Sequence, residues 1–409
     1  MESFSFFPLI STSILLLLIC FWYFYLFPKN ELFNPKKIVN NFRNMQRIFP
    51  VNHITRSPQP YQLPEKLIDL KITYKFNGET QEMSEFLQRS GTTGILVIKN
   101  DIIVYEKYFQ GNSSTDLVTS WSIAKSIISA LIGIALEEGK IENINDPITK
   151  YLPELKTSGY NQVPIKHILQ MSSGVKFIED YDDKNSDIRK LLPQVYLYMR
   201  PMEKIITTFP SQSPSGAYFD YISINSQVLA ILIKRVTGEK VSSYFQKKIW
   251  HPIGAESNAY WVTDNYGTEL GFCGFNATLR DYAKFGLLYL NNGKFNGQQI
   301  IPKTWVKEST FPDSPHLKPG ETNDKYGRWG YQYQWWTPTN SHGDYSAKGA
   351  WGQFLYINPN QNLVIVKTSV SNSFFSLEEQ NETIALFRAI GEQLTINNYR
   401  QQTKERQGA

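Results

Sequence analysis

The chain has 409 residues, enough for one large domain, and its 19% charged and 14% aromatic content reads as globular rather than disordered. A net charge of +5, with no Lys/Arg run longer than two, argues against nucleic acid as a partner. Cys20 and Cys273 and five scattered histidines give neither a disulfide framework nor a metal-ligand spacing, so no metal site is expected.

No charge occurs between Glu2 and Lys29, and Leu9 to Phe27 is nearly continuous apolar sequence ending in Phe21-Trp-Tyr-Phe-Tyr25. Nineteen helical residues would span about 28 Å, close to a bilayer core. Residues 1–28 are therefore expected to be a single-pass transmembrane anchor, held in the membrane through residues 9–27. A cleaved signal peptide is the competing reading; it lacks a basic n-region and a small-residue cleavage site. Lys29, Lys36, Lys37 and Arg43 follow the span and favour a cytoplasmic body by the positive-inside rule. Residues 29–80, with Pro28 before them and Pro35, Pro50, Pro58, Pro60 and Pro64 interrupting any long helix, read as a tether and lead-in. Residues 81–400 read as the folded domain and 401–409 as a tail.

Thr93 to Phe109 holds two β-branched and aromatic runs around Asn100-Asp101, a hairpin signal. Ser120 to Gly139 reads as a buried helix with Ser120 as N-cap and Gly139 as C-cap. From about 145 to 310, short helical patterns alternate with Pro/Gly/Asn-rich loops, and Ile224–Thr237 and Thr278–Tyr289 look helical. Strand character returns in Tyr331–Trp336, Asp344–Lys348, Gln353–Ile357 and Leu363–Thr368, before a last helix at Leu377–Leu394. One antiparallel sheet from 85–115 and 325–370, flanked by helices and carrying a mostly helical insertion, follows: an α+β layer.

Ser-x-x-Lys occurs twice, as Ser122-Ile-Ala-Lys125 and Ser173-Gly-Val-Lys176. Gly174 disfavours a helix at the second. Ser122 opens a strong helix, so the amine three residues on shares its face, and a helix-start N–H is free to bind an oxyanion. Alone, the pair also fits a capping serine and a snorkelling lysine. Tyr221 sits in an aromatic and polar cluster just before an apolar helix. It is a candidate proton shuttle, provided a nearby Lys⁺ favours its phenolate; a buried tyrosine with a satisfied hydroxyl is the bland alternative. Two glycines in the strand pattern Ala347-Lys-Gly-Ala-Trp-Gly-Gln353 mark a bulge or a close backbone approach, suited to an edge that lends an N–H to an oxyanion.

These three elements, in this order, resemble the serine β-lactamase and penicillin-binding-protein superfamily, in its class C-like branch with 6-aminohexanoate-dimer hydrolases and esterases. Ile168-Leu-Gln-Met-Ser-Ser-Gly174, Phe275 to Gly286 and Asn292 to Pro302 are similar to further family stretches, so the likeness covers roughly 85–395. The resemblance implies a β-lactamase/transpeptidase-like fold, Ser122 as acylated nucleophile, Lys125 as its partner and Tyr221 as the tyrosine of Tyr-x-Asn. The sequence here is Tyr-Ile-Ser-Ile-Asn, so Ser223 or Asn225 takes the third place. Lys348-Gly349-Ala350 stands where the family has Lys-Thr-Gly. The implied oxyanion donors are the Ser122 and Ala350 N–H groups, with Lys348, Gly349 and Trp351 as substrate-binding candidates. The expected function is hydrolysis of an ester or amide of a small molecule or short peptide through an acyl-enzyme, without a cofactor. The alternatives are a catalytically silent, membrane-tethered module that binds a peptide or cell-wall fragment, and a true β-lactamase or D,D-carboxypeptidase. The acidic stretch Glu179 to Asp183 could line the cleft and meet an amine, but reads more readily as a solvated loop. The family more often works outside the cytoplasm, against the flanking charges.

Overall fold

The computed structural model describes residue 14 and residues 25–407 apart from 323 and 341. Two sheets are built from β1 (Val51–Ile54), β2 (Thr92–Lys99), β3 (Ile102–Tyr108), β4 (Val118–Thr119), β5 (Ala259–Val262), β6 (Phe275–Ala277), β7 (Gly330–Gln332), β8 (Trp335–Thr337), β9 (Tyr345–Gly349), β10 (Gln353–Asn358) and β11 (Leu363–Ser369). The main helices are α1 (Ile123–Glu137), α2 (Asp187–Tyr196), α3 (Ser223–Thr237), α4 (Leu279–Leu290) and α5 (Leu377–Gln407).

The large sheet runs β7-β8-β9-β10-β11-β2-β3, antiparallel throughout, with β2 lying between β11 and β3. Strands from before and after the helical region thus share one sheet, as the α+β reading expects. Alternation along the strands feeds two cores. Leu96, Ile98, Leu355, Ile357, Val364 and Val366 face the core that holds α1, α3 and α4. Ile95, Val97, Phe354, Tyr356 and Ile365 face α5 through Ile384, Phe387 and Ile390. All of β2 is buried, which explains its unbroken apolar run. The β2–β3 turn falls at Asn100 and Asp101, both at positive φ (51° and 63°), the conformation a tight hairpin of primed type requires.

The sequence patterns place these elements to within a few residues, with three differences. Tyr331–Trp336 is two strands, because Tyr333 and Gln334 turn at φ 35° and 72°. The last helix continues to Gln407. A second sheet, β1-β5-β6-β4, lies in the region read as helical. It recruits the segment read as a tether: Val51 to Ile54 pair with Val262 to Ala259, and Leu32, Phe42, Met45 and Ile54 are buried in the main core.

The expected transmembrane anchor and single-pass membrane location are corrected. Among the described residues no helix is long and apolar enough to cross a membrane. Most of the run at residues 9–27 lies outside the described residues. Its described end meets the body: Tyr25 Oη donates to Asn265 Oδ1 at 2.5 Å.

Lys367 on β11 is fully buried behind the Ala350–Gly352 turn, with Nζ 3.5 Å from the Gly352 carbonyl. Burial pushes its pKa down to about 8. An unfolded lysine titrates near 10.4, so the unfolded chain binds more protons between those values and stability rises with pH across that window. Below pH 8 the full cost is present, on the order of 3 kcal/mol. Lys367→Met is therefore expected to raise unfolding free energy at pH 7 by roughly 2–3 kcal/mol in urea titrations. The gain should shrink towards pH 10; a gain independent of pH would refute this account.

Candidate active site

The start of α1 is shaped by packing. Trp121 sits at φ 44°, a strained conformation for a bulky residue. It is held by stacking on Phe33 (5.8 Å) and an edge contact with Phe42 (5.2 Å). The chain then enters the helix with Ser122, not Ser120, as N-cap, and the Ser122 side chain makes no capping hydrogen bond. Its hydroxyl is left for another partner. Its N–H has no acceptor among the described residues.

That partner is Lys125, one turn later and 1% exposed. Its Nζ donates to Ser122 Oγ (2.8 Å), Tyr221 Oη (2.7 Å) and Ser223 Oγ (3.1 Å). Three acceptors match the three donors of an ammonium. Tyr221 precedes α3, and Ser223 opens it. The Tyr221 ring packs on Trp336 (5.2 Å), and its N–H donates to Tyr326 Oη at 3.2 Å.

Asn225 is not part of this group. It is fully buried, accepts from Tyr160 Oη (2.8 Å) and directs its amide to Met171 Sδ. Of the two candidates, Ser223 stands beside Lys125 and Asn225 does not. The second Ser-x-x-Lys is a loop: Gly174 has φ 73°, and Ser173 Oγ accepts from the Val175 N–H.

Of the acidic stretch, read more readily as a solvated loop than as part of the cleft, Glu179 is buried in the site. Its carboxylate accepts from the Ser223 N–H (2.6 Å), Ser223 Oγ (2.5 Å) and Tyr181 Oη (2.8 Å). A carboxylate at the first turn of α3 also suits the helix dipole. Alternation could have found it: Val175, Phe177 and Glu179 point inward while Lys176, Ile178 and Asp180 face solvent. Glu179 orients Ser223, which in turn meets Lys125. Ser223 donates to the two carboxylate oxygens separately, and in a glutamine one of those positions becomes an amide donor that cannot accept. Glu179→Gln is expected to lower kcat/KM on an ester by about 10- to 100-fold, the kinetic equivalent of a charge-assisted hydrogen bond. Unchanged kinetics in a variant with wild-type melting behaviour would show that the contact is only structural.

Opposite Ser122 lies the end of β9. A Cβ on Gly349 would stand 2.4 Å from the Ser120 carbonyl oxygen and 3.1 Å from the Ser122 nitrogen, so only glycine allows this approach. Ala350 follows, then Trp351 at φ 64°, stacked on Phe33 (5.3 Å) and Phe374 (5.1 Å). Lys348 hydrogen-bonds Gln380 (2.7 Å) and lies over the rings of Trp329 (3.7 Å) and Trp336 (4.1 Å). Burial holds its ammonium well below the usual lysine range.

A cleft has two lobes that join along Ser122, Ala350, Tyr181, Asp182, Phe374 and Phe375. One, of about 380 Å³, is lined by Glu179, Tyr221, Tyr326, Trp336, Lys348 and Gln380. The other, of about 330 Å³, is lined by Phe33, Trp121, Leu192, Phe272, Trp351 and Phe374. The sequence reading missed Phe33, Trp121, Tyr326 and Trp336; each reaches the cleft through contacts distant in the chain.

A family model described as Beta-lactamase matches residues 80–389. The 6-aminohexanoate-dimer hydrolase of Paenarthrobacter ureafaciens is 28% identical over 70% of this chain and 75% of its own. A teichoic acid D-alanine hydrolase of Staphylococcus aureus is 30% identical over 41% of this chain and 37% of its own. The solved structure of a protein named a putative 6-aminohexanoate-dimer hydrolase, from Bacillus anthracis, superposes with a TM-score of 0.80 at 27% identity, over 89% of this chain and 96% of that one.

Proposed function

The chain belongs to the β-lactamase family and is a serine hydrolase, and from that premise we propose that it cleaves a linear ester or amide through an acyl-enzyme on Ser122. The observation that carries this reading is the convergence of Ser122 Oγ, Tyr221 Oη and Ser223 Oγ on Lys125 Nζ, all within 3.1 Å. The Ser122 proton passes to the Lys125–Tyr221 pair as Oγ bonds the carbonyl carbon. The carbonyl oxygen gathers charge between the Ser122 and Ala350 N–H groups, at the positive end of α1. The bond to the leaving oxygen or nitrogen then breaks, and Tyr221 returns the proton to it. Water, deprotonated by the same pair, attacks the acyl-enzyme, releases the acid and restores Ser122.

Linear acyl donors are favoured over β-lactams by two features. Lys348-Gly349-Ala350 lacks the threonine of Lys-Thr-Gly, and Lys348 lies half-buried between tryptophans with no carboxylate partner among the described residues. The relatives' names point the same way, to a dimer of 6-aminohexanoate in one and to D-alanine on teichoic acid in the other. A fluorophosphonate probe followed by peptide mass spectrometry tests the nucleophile. One adduct, on Ser122, is expected; labelling of another serine would overturn the assignment.

A further inference from the structure

The two lobes share Ser122, Ala350, Tyr181, Asp182, Phe374 and Phe375 as their common boundary, and the larger one carries more of the polar groups. Tyr221, the group that returns a proton to the leaving atom, lines the larger lobe and not the smaller. The leaving group must therefore lie in the larger lobe, beside Tyr221, Lys348 and Gln380. An acyl group departs from the carbonyl carbon in the opposite direction, into the smaller lobe.

That smaller lobe is apolar. Phe33, Trp121, Trp351 and Phe374 form a run of stacked rings along one side, and Leu192 and Phe272 face them. Its charged side chains, Asp182 and Arg189, are exposed. Burial pushes the thiol of Cys273, in the same wall, up to about 12, as a low-dielectric surroundings would. The volume of about 330 Å³ is roughly twice that of a cavity that encloses benzene.

We propose that this lobe is an acyl-chain site, and that the enzyme selects esters or amides of apolar carboxylic acids with about six to eight carbons, straight or phenylalkyl. The inference rests on the Ser122 reading and adds the substrate class. Phe33 gives it a further consequence: the segment before the hydrolase body completes the specificity site.

The test is a series of p-nitrophenyl esters from acetate to octanoate on the full chain. Each buried methylene contributes about fourfold, so the four methylenes that separate hexanoate from acetate should raise kcat/KM by up to about 250-fold. Leu192→Asp places a charge in the lobe and should cut the hexanoate-to-acetate ratio to about one-tenth or less. Phe33→Ala should reduce it in the same direction, and serves if Leu192→Asp does not fold by circular dichroism. A flat wild-type series, or a ratio untouched by both substitutions, overturns the acyl site while leaving Ser122 hydrolysis standing. Length dependence seen instead in methyl to hexyl acetates would put the leaving group in this lobe and overturn the assignment. No turnover of any ester, with Ser122 unlabelled by fluorophosphonate, would remove the underlying reading and this inference with it.

Discussion

Ser122→Ala is expected to lower kcat by about 10⁴- to 10⁶-fold, as removal of the nucleophile does in serine hydrolases that act through a coupled group. The fold should survive. The Ser122 side chain caps nothing, and Lys125 keeps two of its three acceptors, Tyr221 and Ser223. The melting temperature should therefore shift little, because no core volume and no cap is lost. The group acts as a unit, so adding Lys125→Met to Ser122→Ala should cost almost nothing further. The residual rate would come from binding and the oxyanion donors alone. Initial rates normalised by protein folded in the melting curve decide the matter. Activity within tenfold of wild type would mean that the hydroxyl is not the nucleophile, whatever Lys125 touches.

How much of this was legible in the sequence follows from the range of the forces involved. The hairpin at Asn100-Asp101, the α1 helix and the strand at Gln353 are set by local period and turn chemistry, and the chain shows them directly. The choice between Ser223 and Asn225 is also local, once the helix start is known. Two residues turn a helix by about 200°, so if Ser223 faces Lys125, Asn225 faces away into the core. What stayed hidden was long-range. The Phe33, Trp121, Trp351 and Phe374 stack joins four distant parts of the chain, and β1 finds its partner in β5 far downstream. Residues 29–80 read as a tether because their prolines break any long helix; they instead form short elements, among them a helix at Ile38–Phe42 and the strand β1, joined by irregular chain with buried anchors. The apolar run at 9–27 was read by length and composition alone, which are indifferent to whether its end packs on protein.

The strand edge gives the second large effect. Gly349 has φ −127° and ψ 155°, ordinary extended backbone that alanine adopts without strain. Its constraint is contact, not conformation. An added methyl would meet the Ser120 carbonyl oxygen at 2.4 Å and the Ser122 nitrogen at 3.1 Å, both backbone atoms that cannot swing aside as a side chain would. Relief requires β9 to draw away from the start of α1. That movement separates the Ser122 and Ala350 N–H groups, which act together only while both reach one oxygen. Loss of one such donor costs about 10²- to 10³-fold in kcat, and Gly349→Ala is expected to fall in that range. KM should change far less, since a ground-state carbonyl makes weaker use of the same donors. Overpacking of this kind also costs about 1–3 kcal/mol, so a modest drop in melting temperature should accompany the kinetic defect. Binding separates the two effects. A trifluoromethyl ketone that forms a tetrahedral adduct should lose affinity in parallel with kcat, whereas a planar ester analogue should not. If Gly349→Ala kept kcat within threefold while destabilising the fold, the close approach would serve packing alone and the oxyanion would have to be held elsewhere.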